Sequence, residues 1–319
     1  MASDMTAQPS SEPSGRTRHY GEFYGIDDVP SDRPLWIVLG NCQAEAVRVM
    51  LSTVQDAPFH AVRMPPVHEL EASDIDSLRR LASHAGMLIA QPIRDDYRDL
   101  PVGTSQVARM LPKDAGVVRW PVFRYSGLYP FQAIVRHPGD PSATPAGAPY
   151  HDLRTVLAAA AGADADDEWR IQVRPEALRA NAEASLAELS RRERRDCDVA
   201  ISDVICSHGA AAAHTINHPG NDVLADLAAR VLDAAGIAGT PTDPGRVLLN
   251  SVHTPLESQV VDGLGLDAAP RPEWTIDGDI LSANVIHRRQ LQWYAEHPEF
   301  VEAALVRHAD TVALLGTGN

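Results

Sequence analysis

The sequence predicts an α/β fold in which a mostly parallel sheet is flanked by helices and followed by a helical C-terminal part. Short apolar runs alternate with stretches whose apolar residues recur at helical spacing, which is typical of parallel sheets covered on both faces. The 319 residues are 44% hydrophobic, enough for a large buried core. From about 283 to 314 the spacing is helical, with interruptions at Pro298 and at 308–310.

The clearest strand and helix come first. Residues 35–39, "LWIVL", form a continuous apolar run that predicts a strand buried on both faces. A turn at Gly40-Asn41 follows. Beyond it, apolar residues recur on one face of a predicted helix, at Ala44, Val47, Met50, Leu51 and Val54.

The same alternation continues along the chain. Further strands are predicted at 59–64, 86–92, 116–123 and 198–202, and helices at 72–85, 103–111, 153–161, 175–195 and 221–235. In such sheets the ligand site lies outside the carboxyl ends of the strands. We therefore expect Cys42, Gln91 with Arg94, and the segment "RYSGLYP" (124–130) to cluster at one edge.

Composition divides the chain into three parts. Residues 1–33 are predicted to be a disordered tail, up to about 18, and an N-terminal arm. Residues 34–240 are predicted to form the α/β domain. Residues 241–319 are predicted to be a mainly helical extension packed on the same domain.

Charge limits the partners. The net charge is −15, and residues 34–140 carry eleven basic and eleven acidic side chains, so no basic footprint for nucleic acid is present. A phosphate-bearing small molecule stays open, because the same segment holds five candidate arginines: Arg63, Arg94, Arg98, Arg119 and Arg124.

Several classes of protein are disfavoured. No apolar stretch is long enough to span a membrane and no signal sequence precedes the domain, which indicates a cytoplasmic protein. The three cysteines do not suggest a disulfide framework, and no zinc-like ligand spacing indicates a metal. The glycine loops of kinases and nicotinamide dehydrogenases are missing too.

Cys42 is the strongest candidate for chemistry. In the first turn of a helix, a thiol meets the positive end of the helix dipole and free backbone N–H groups, which favour thiolate. These N–H groups, with the side chains of Asn41 and Gln43, could hold an oxyanion, and Gly40 allows close approach. The alternative is that Cys42 is a small buried residue beside the turn.

A cysteine nucleophile needs a base. We favour His218, which precedes a predicted helix in "TINHPGN"; His137 and His208 are rivals, and each could instead be a surface histidine. Asp203 follows a predicted buried strand, where its carboxylate could orient the imidazole or cap a helix. Cys197 and Cys206 show no sign of activation.

A polar cluster follows the strand at 86–92. Arg94 could pair with a phosphate or carboxylate, and Tyr97 could stack on a base, with Gln91 beside them. The alternative is a solvated loop whose charges neutralise one another.

Five ordered motifs give a resemblance to a known family: a strand ending in Gly-Asn-Cys-Gln, then "QPIRDDY", "SGLYP", "SDVI" and "TINHPGN", across roughly 35–235. Together they resemble the WcbI family of polysaccharide-biosynthesis enzymes. The resemblance implies coenzyme A binding near the Gly40 turn, acyl-coenzyme A as donor, Cys42 as the motif cysteine, and acetyl or acyl transfer to a sugar-type acceptor in polysaccharide or glycoconjugate assembly.

Two other interpretations stay open. The fold could be Rossmann-like or an SGNH-like three-layer arrangement, since SGNH hydrolases place Gly-Asp-Ser where this chain has Gly-Asn-Cys. The chain could then be a thiol esterase or deacylase. It could also be a binding protein for a nucleotide-like ligand, without chemistry. A homo-oligomer is likewise open.

Overall fold

A four-stranded parallel sheet forms the centre of the molecule. In this computed structural model, which describes residues 14–140, 142–145 and 147–317, the strands are β1 (Leu35–Leu39), β2 (His60–Val62), β3 (Ala85–Ala90) and β4 (Gly116–Arg119). Their order is β2-β1-β3-β4, and each neighbouring pair is parallel. The predicted strands at 35–39, 59–64, 86–92 and 116–123 are therefore confirmed.

Helices cover both faces of this sheet, as the fully apolar strands predict. Trp36 and Val38 of β1 belong to one apolar cluster, whereas Ile37 and Leu39 belong to another, because successive side chains of a strand point to opposite faces. The α/β fold with a parallel sheet between helices is confirmed. The helices are α1 (Gly15–His19), α2 (Gly21–Tyr24), α3 (Cys42–Leu51), α4 (Ile75–Ala82), α5 (Thr104–Ala108), α6 (Leu153–Ala160), α7 (Pro175–Asp196), α8 (Asn221–Ala234), α9 (Ser258–Leu264), α10 (Ala283–Glu296), α11 (Pro298–Arg307) and α12 (Ala309–Leu315).

Short antiparallel pairs were not predicted. They are β5 (Gln132–Ala133) with β6 (His151–Asp152), β7 (Ala213–Thr215) with β8 (His218–Pro219), and the sheet of β9 (Val252–His253), β10 (Glu273–Ile276) and β11 (Asp279–Ser282). Strands of two to four residues are too short to give a periodic signal. Three 3-10 helices, Val67–Glu69, Ala72–Asp74 and Ile205–Ala212, complete the elements.

The strand predicted at 198–202 was wrong. The backbone N–H groups of Asp198 and Val199 both donate to the carbonyl of Arg119, at 2.8 and 3.3 Å, so pairing with β4 ends at once. The buried carboxylate of Glu193 then accepts from the N–H groups of Ile201 and Ser202, at 2.8 and 3.0 Å, and turns the chain away from the sheet.

The two ends of the chain differ in part from expectation. Of the predicted disordered tail, residues 1–13 lie outside the described residues, while Gly15–His19 are helical. After residue 240, the predicted helices are interrupted at His297 and His308, and the sheet β9-β10-β11 precedes them. The division into domains stays a prediction. Among the described helices, none combines the length and apolarity needed to cross a bilayer.

Candidate functional site

Cys42 is the first residue of α3, directly after β1 and the turn at Gly40. The Asn41 side chain caps this helix, since its Oδ1 accepts a hydrogen bond from the Gln43 backbone N–H at 2.9 Å. Cys42 is partly exposed. The strand, turn and helix predicted around this residue are confirmed, and they place its thiol at the carboxyl edge of the sheet.

The thiol is not activated in the free protein. Burial raises the pKa of Cys42, hydrogen bonds from the backbone of Cys42 and Gln43 oppose the rise, and the negative charge of Glu69 adds to it. The helix N-terminus therefore acts in the predicted direction, but desolvation outweighs it. Cys42 needs a base to become a nucleophile.

Gln43 joins three segments at this edge. Its side chain is fully buried; Nε2 donates to the carbonyls of Phe123 and Asn217, at 3.0 and 2.8 Å. Its Oε1 accepts from the Phe123 N–H and from Nε2 of Gln91, both at 3.0 Å. The expected clustering of the carboxyl ends of β1, β3 and β4 is therefore present.

Gln91 completes the support of the turn. Its Oε1 accepts from the Asn41 backbone N–H at 2.8 Å, and Gly40 lies so close that an added Cβ would sit 2.7 Å from that oxygen. We predicted that Gln43 and Gln91 contact a coenzyme. Instead, both amides are buried and engaged with protein groups, so these side chains hold the turn in place.

Tyr150 contacts His218 and lies within electrostatic range of Cys42. Its hydroxyl donates to Oδ1 of Asn217 at 2.7 Å and lies 3.1 Å from Oγ1 of Thr215 and 3.3 Å from Nε2 of His218. Burial raises the pKa of Tyr150, and the charge of Cys42 contributes to the rise. The Tyr150 hydroxyl is therefore within electrostatic range of the Cys42 thiol, and it contacts the His218 imidazole directly.

His218 is buried and neutral at neutral pH. Burial lowers its pKa to about 4, against a smaller opposing effect of the Leu249 backbone. A neutral imidazole can accept a proton. Within the described part of the chain, no side-chain hydrogen bond joins Cys42 to a histidine, and Tyr150 lies between them in the sense that it contacts His218 and its pKa responds to the charge of Cys42.

Asp203 was wrongly predicted as the partner of His218. Its carboxylate is largely exposed and pairs with Arg230, with Oδ1 2.6 Å from Nη1 and Oδ2 2.8 Å from Nη2. The turn at 201–204, which replaces the predicted strand, points this side chain away from the sheet edge. Asn217 and Tyr150 contact the imidazole region instead.

The rival histidines have other partners. Nε2 of His137 lies 2.9 Å from a carboxylate oxygen of Glu299, and Nε2 of His208 lies 2.8 Å from one of Asp226. Both pairs bind segments of the fold together.

His68 was missed by sequence reasoning. It follows β2 on the 3-10 helix whose first N–H, that of Val67, donates to the Gly40 carbonyl at 2.8 Å, so it lies beside the Cys42 turn. Burial lowers the pKa of His68, Glu69 raises it, and the positive charges of Arg136 and Arg98 lower it further. A lone histidine after Pro-Pro-Val gives no distinctive pattern. His68, together with Tyr150, therefore extends the site around Cys42.

The remaining candidates lie at the surface or against the apolar core. Arg94 is exposed, and Tyr97 is half-buried against the apolar cluster below β3. Cys197 is half-buried, and burial with Glu193, Asp196 and Asp198 raises its pKa to about 12. Among the residues that the structure describes, no group of three or more histidine, cysteine or acidic side chains could hold a metal ion.

Comparison with known proteins agrees with this architecture. A family model described as "Polysaccharide biosynthesis enzyme WcbI" matches residues 35–240. No curated protein matches the chain. A solved structure of WcbI, described as a novel polysaccharide biosynthesis enzyme in a native form without a disulfide bond between coenzyme A and one of its cysteines, has a TM-score of 0.77 at 18% identity. The match covers 90% of this chain and 99% of that chain, and shows a common fold.

Proposed function

This chain belongs to the WcbI family of polysaccharide-biosynthesis enzymes, and from that premise we propose that it transfers an acyl group from coenzyme A to a hydroxyl of a sugar-type acceptor at Cys42. The observation that carries the proposal is the position of this cysteine. It lies at the N-terminus of α3, within electrostatic range of Tyr150, whose hydroxyl contacts His218.

Two routes are compatible with this arrangement. In the first, the Cys42 sulfur attacks the thioester carbonyl after losing its proton, coenzyme A leaves as the protonated thiol, and the acceptor hydroxyl then takes the acyl group and restores the cysteine thiol. In the second, His218 takes the proton of the acceptor hydroxyl as the acceptor oxygen attacks the thioester carbonyl directly, and the imidazole then gives that proton to the sulfur of the leaving coenzyme A. Both routes yield an acyl ester and free coenzyme A.

The backbone supports either route. The backbone N–H groups of Cys42 and Gln43 favour negative charge on the sulfur. The Gln43 N–H already donates to Oδ1 of Asn41, so the Cys42 N–H is the candidate donor to an oxyanion that forms beside the sulfur. Because Gln43 and Gln91 fix the turn through buried hydrogen bonds, the Cys42 N–H needs no rearrangement when charge develops. Burial lowers the pKa of His218 to about 4, which makes its imidazole a weak base, and negative charge that develops beside it raises its proton affinity.

The coenzyme would lie across the basic rim next to this turn. Coenzyme A carries phosphates, and positively charged side chains favour them. Arg98 and Arg136 are close enough to His68 to lower its pKa, and Arg94 is exposed after β3 at the same edge. The thioester would then reach Cys42 from the side of His68.

Intact-mass measurement after incubation with acetyl-coenzyme A tests the proposal. We expect wild type, quenched rapidly, to carry one acetyl group if the covalent route operates. Cys42→Ala should carry none. Cys206→Ala, which removes an exposed thiol, serves as the matched control and should be acetylated like wild type.

Each route has its own negative result. Acetyl transfer to an acceptor without any adduct excludes the covalent route and leaves the direct one. If titration detects no binding of coenzyme A, the proposal as a whole fails. Release of acetate from simple esters without coenzyme A would instead identify a thiol esterase.

A further inference from the structure

A cavity outside the Cys42 site is lined by arginine, serine and histidine side chains. It has a volume of about 390 Å³, within the range of small-molecule sites. One face of α7 lines it, and the first turn of α12 and the extended segment 124–134 form the other walls. Its polar lining includes Arg124, Ser126, Ser185, Glu188, Arg192 and His308.

The two arginines of this cavity, Arg124 and Arg192, are weakly paired, although the lining also holds two acids. Arg124 is exposed in part and has no hydrogen-bond or ion-pair partner among the described residues, whereas Nε of Arg192 is buried without a hydrogen bond. The nearest acid to Arg192 is Glu188, with Oε1 3.6 Å away, but both Glu188 oxygens are already bound by Arg191 at 2.8 Å. Asp310 is the only other acid in the lining.

The lining also offers neutral donors. Oγ of Ser185 accepts a hydrogen bond from the Ser126 backbone N–H at 2.9 Å, which leaves its own proton free to donate. Nε2 of His308 is buried without a partner. Burial lowers the pKa of Arg124, and the positive charges of Arg192 and Arg307 lower it further. A bound anion would relieve this repulsion.

The cavity borders the Cys42 site through two chain segments. Arg124 follows Phe123, and Ile216, which also lines the cavity, precedes Asn217. Gln43 binds the backbones of both Phe123 and Asn217. A ligand in the cavity would therefore lie against the same segments that position the thiol.

We propose that this cavity binds the phosphate group of a small molecule, with Arg124 and Arg192 as the charged contacts and Ser185 and His308 as neutral donors. Guanidinium groups suit this ligand because they form paired hydrogen bonds to phosphate oxygens. The phosphate comes either from the coenzyme or from a phosphorylated sugar acceptor. The site stands on its own lining and does not depend on acyl transfer at Cys42.

Calorimetric titration with inorganic pyrophosphate, glucose 1-phosphate and coenzyme A tests this site. We expect wild type to bind pyrophosphate or glucose 1-phosphate, and Arg124→Gln and Arg192→Gln each to weaken that binding about tenfold or more. Arg194→Gln is the matched control, because Arg194 is exposed on the same helix and bonds only to Ser190. It should bind like wild type, and thermal melting should show that all three variants are folded.

The coenzyme arm identifies the source of the phosphate. If Arg124→Gln weakens coenzyme A binding as well, the cavity holds a phosphate of the coenzyme; if only the sugar phosphate is affected, it holds the acceptor. The proposal is overturned if wild type binds none of the three probes, or if a folded Arg124→Gln binds them all as wild type does. Cys42→Ala should keep phosphate binding, so failure of acyl transfer and failure of this site are separable.

Discussion

At the scale of single residues, opposing electrostatic effects act on the pKa of the Cys42 thiol. The first N–H groups of α3 stabilise its negative charge, whereas burial and Glu69 destabilise that charge. Because the pKa of Cys42 is raised, little thiolate is present at neutral pH, and the residue reacts slowly with oxidants, since the thiolate is the reactive form. It becomes nucleophilic when a bound substrate or base changes that balance.

Replacing Tyr150 tests whether the site works as a connected unit. Tyr150→Phe removes the hydroxyl that contacts Asn217, Thr215 and His218 while keeping the ring. We expect kcat to fall about tenfold to hundredfold with KM for acyl-coenzyme A unchanged, because the imidazole loses its orienting contact but the coenzyme site is untouched. Steady-state kinetics with acetyl-coenzyme A would measure this.

Tyr125→Phe is the matched control for that experiment. Tyr125 is also buried, but its hydroxyl forms none of the contacts to His218. Its removal should leave kcat within about twofold of wild type. Equal losses in both variants would mean that Tyr150 acts only through general packing.

Residue chemistry was predictable only where it depended on local sequence. Cys42 and Asn41 were found because a strand, a glycine turn and a helix follow each other directly. His218 was selected on loop composition, and its contact with Tyr150 joins residues 68 positions apart. The prediction for Asp203 was wrong because it assumed a strand at 198–202, and this strand does not form.

At the scale of elements, two buried glutamines tie the carboxyl ends of β1, β3 and β4 together. Gln43 belongs to α3 and Gln91 follows β3, and the bond between their side chains joins the two. Buried amide networks are stable only when their groups are satisfied. Here they fix the register of the Gly40 turn against its neighbours.

Gly40→Ala tests that close approach. The new Cβ would lie 2.7 Å from Oε1 and 2.9 Å from Cδ of Gln91, which is closer than contact distance. We expect the free energy of unfolding, measured by urea titration, to fall by about 1–3 kcal/mol. In a Gln91→Ala background the same change should cost less, because the colliding atoms are gone.

Gly15→Ala provides the control. Among the described residues, which begin at position 14, no atom lies within 4 Å of a Cβ built at Gly15, and its φ is not in the left-handed region. This change should leave stability within about 1 kcal/mol of wild type. If Gly40→Ala is equally neutral, the turn has more freedom than the hydrogen bonds imply.

The parallel sheet was predictable because its strands are buried on both faces and therefore read as continuous apolar runs. The pairs β5-β6 and β7-β8 were not, because two or three residues give no periodicity. The false strand at 198–202 has the composition of a strand, but Glu193 captures its backbone N–H groups from the preceding helix. There, hydrogen bonds to the Glu193 side chain determine the backbone conformation, although the apolar composition favours a strand.

At the scale of the whole molecule, buried histidines make stability depend on mild acid. His151, His214 and His218 each have their pKa lowered to about 4, chiefly by burial. His151 lies on β6, whereas His214 and His218 lie on the paired strands β7 and β8. Protonation of any of these imidazoles in the folded chain at neutral pH therefore costs free energy.

The direction of the effect follows from where protons bind first. As the pH falls below about 6.5, the unfolded chain takes up protons on these imidazoles while the folded chain does not, so unfolding becomes more favourable. The free energy of unfolding should therefore be level above about pH 6.5 and fall as the pH decreases toward 4. At pH 5, each such histidine contributes a loss of about 2 kcal/mol.

His151→Gln isolates one of these contributions. His151 packs against Phe300 and lies 2.8 Å from the Tyr294 hydroxyl, so the variant will lose some stability at every pH. Its loss between pH 7 and pH 5, measured by urea titration, should be about 2 kcal/mol smaller than that of wild type. His84→Gln, which changes an exposed histidine, should keep the wild-type dependence. An unchanged slope in His151→Gln would show that this imidazole is protonated in the folded protein, and that hydration reaches the interior between β6 and α10.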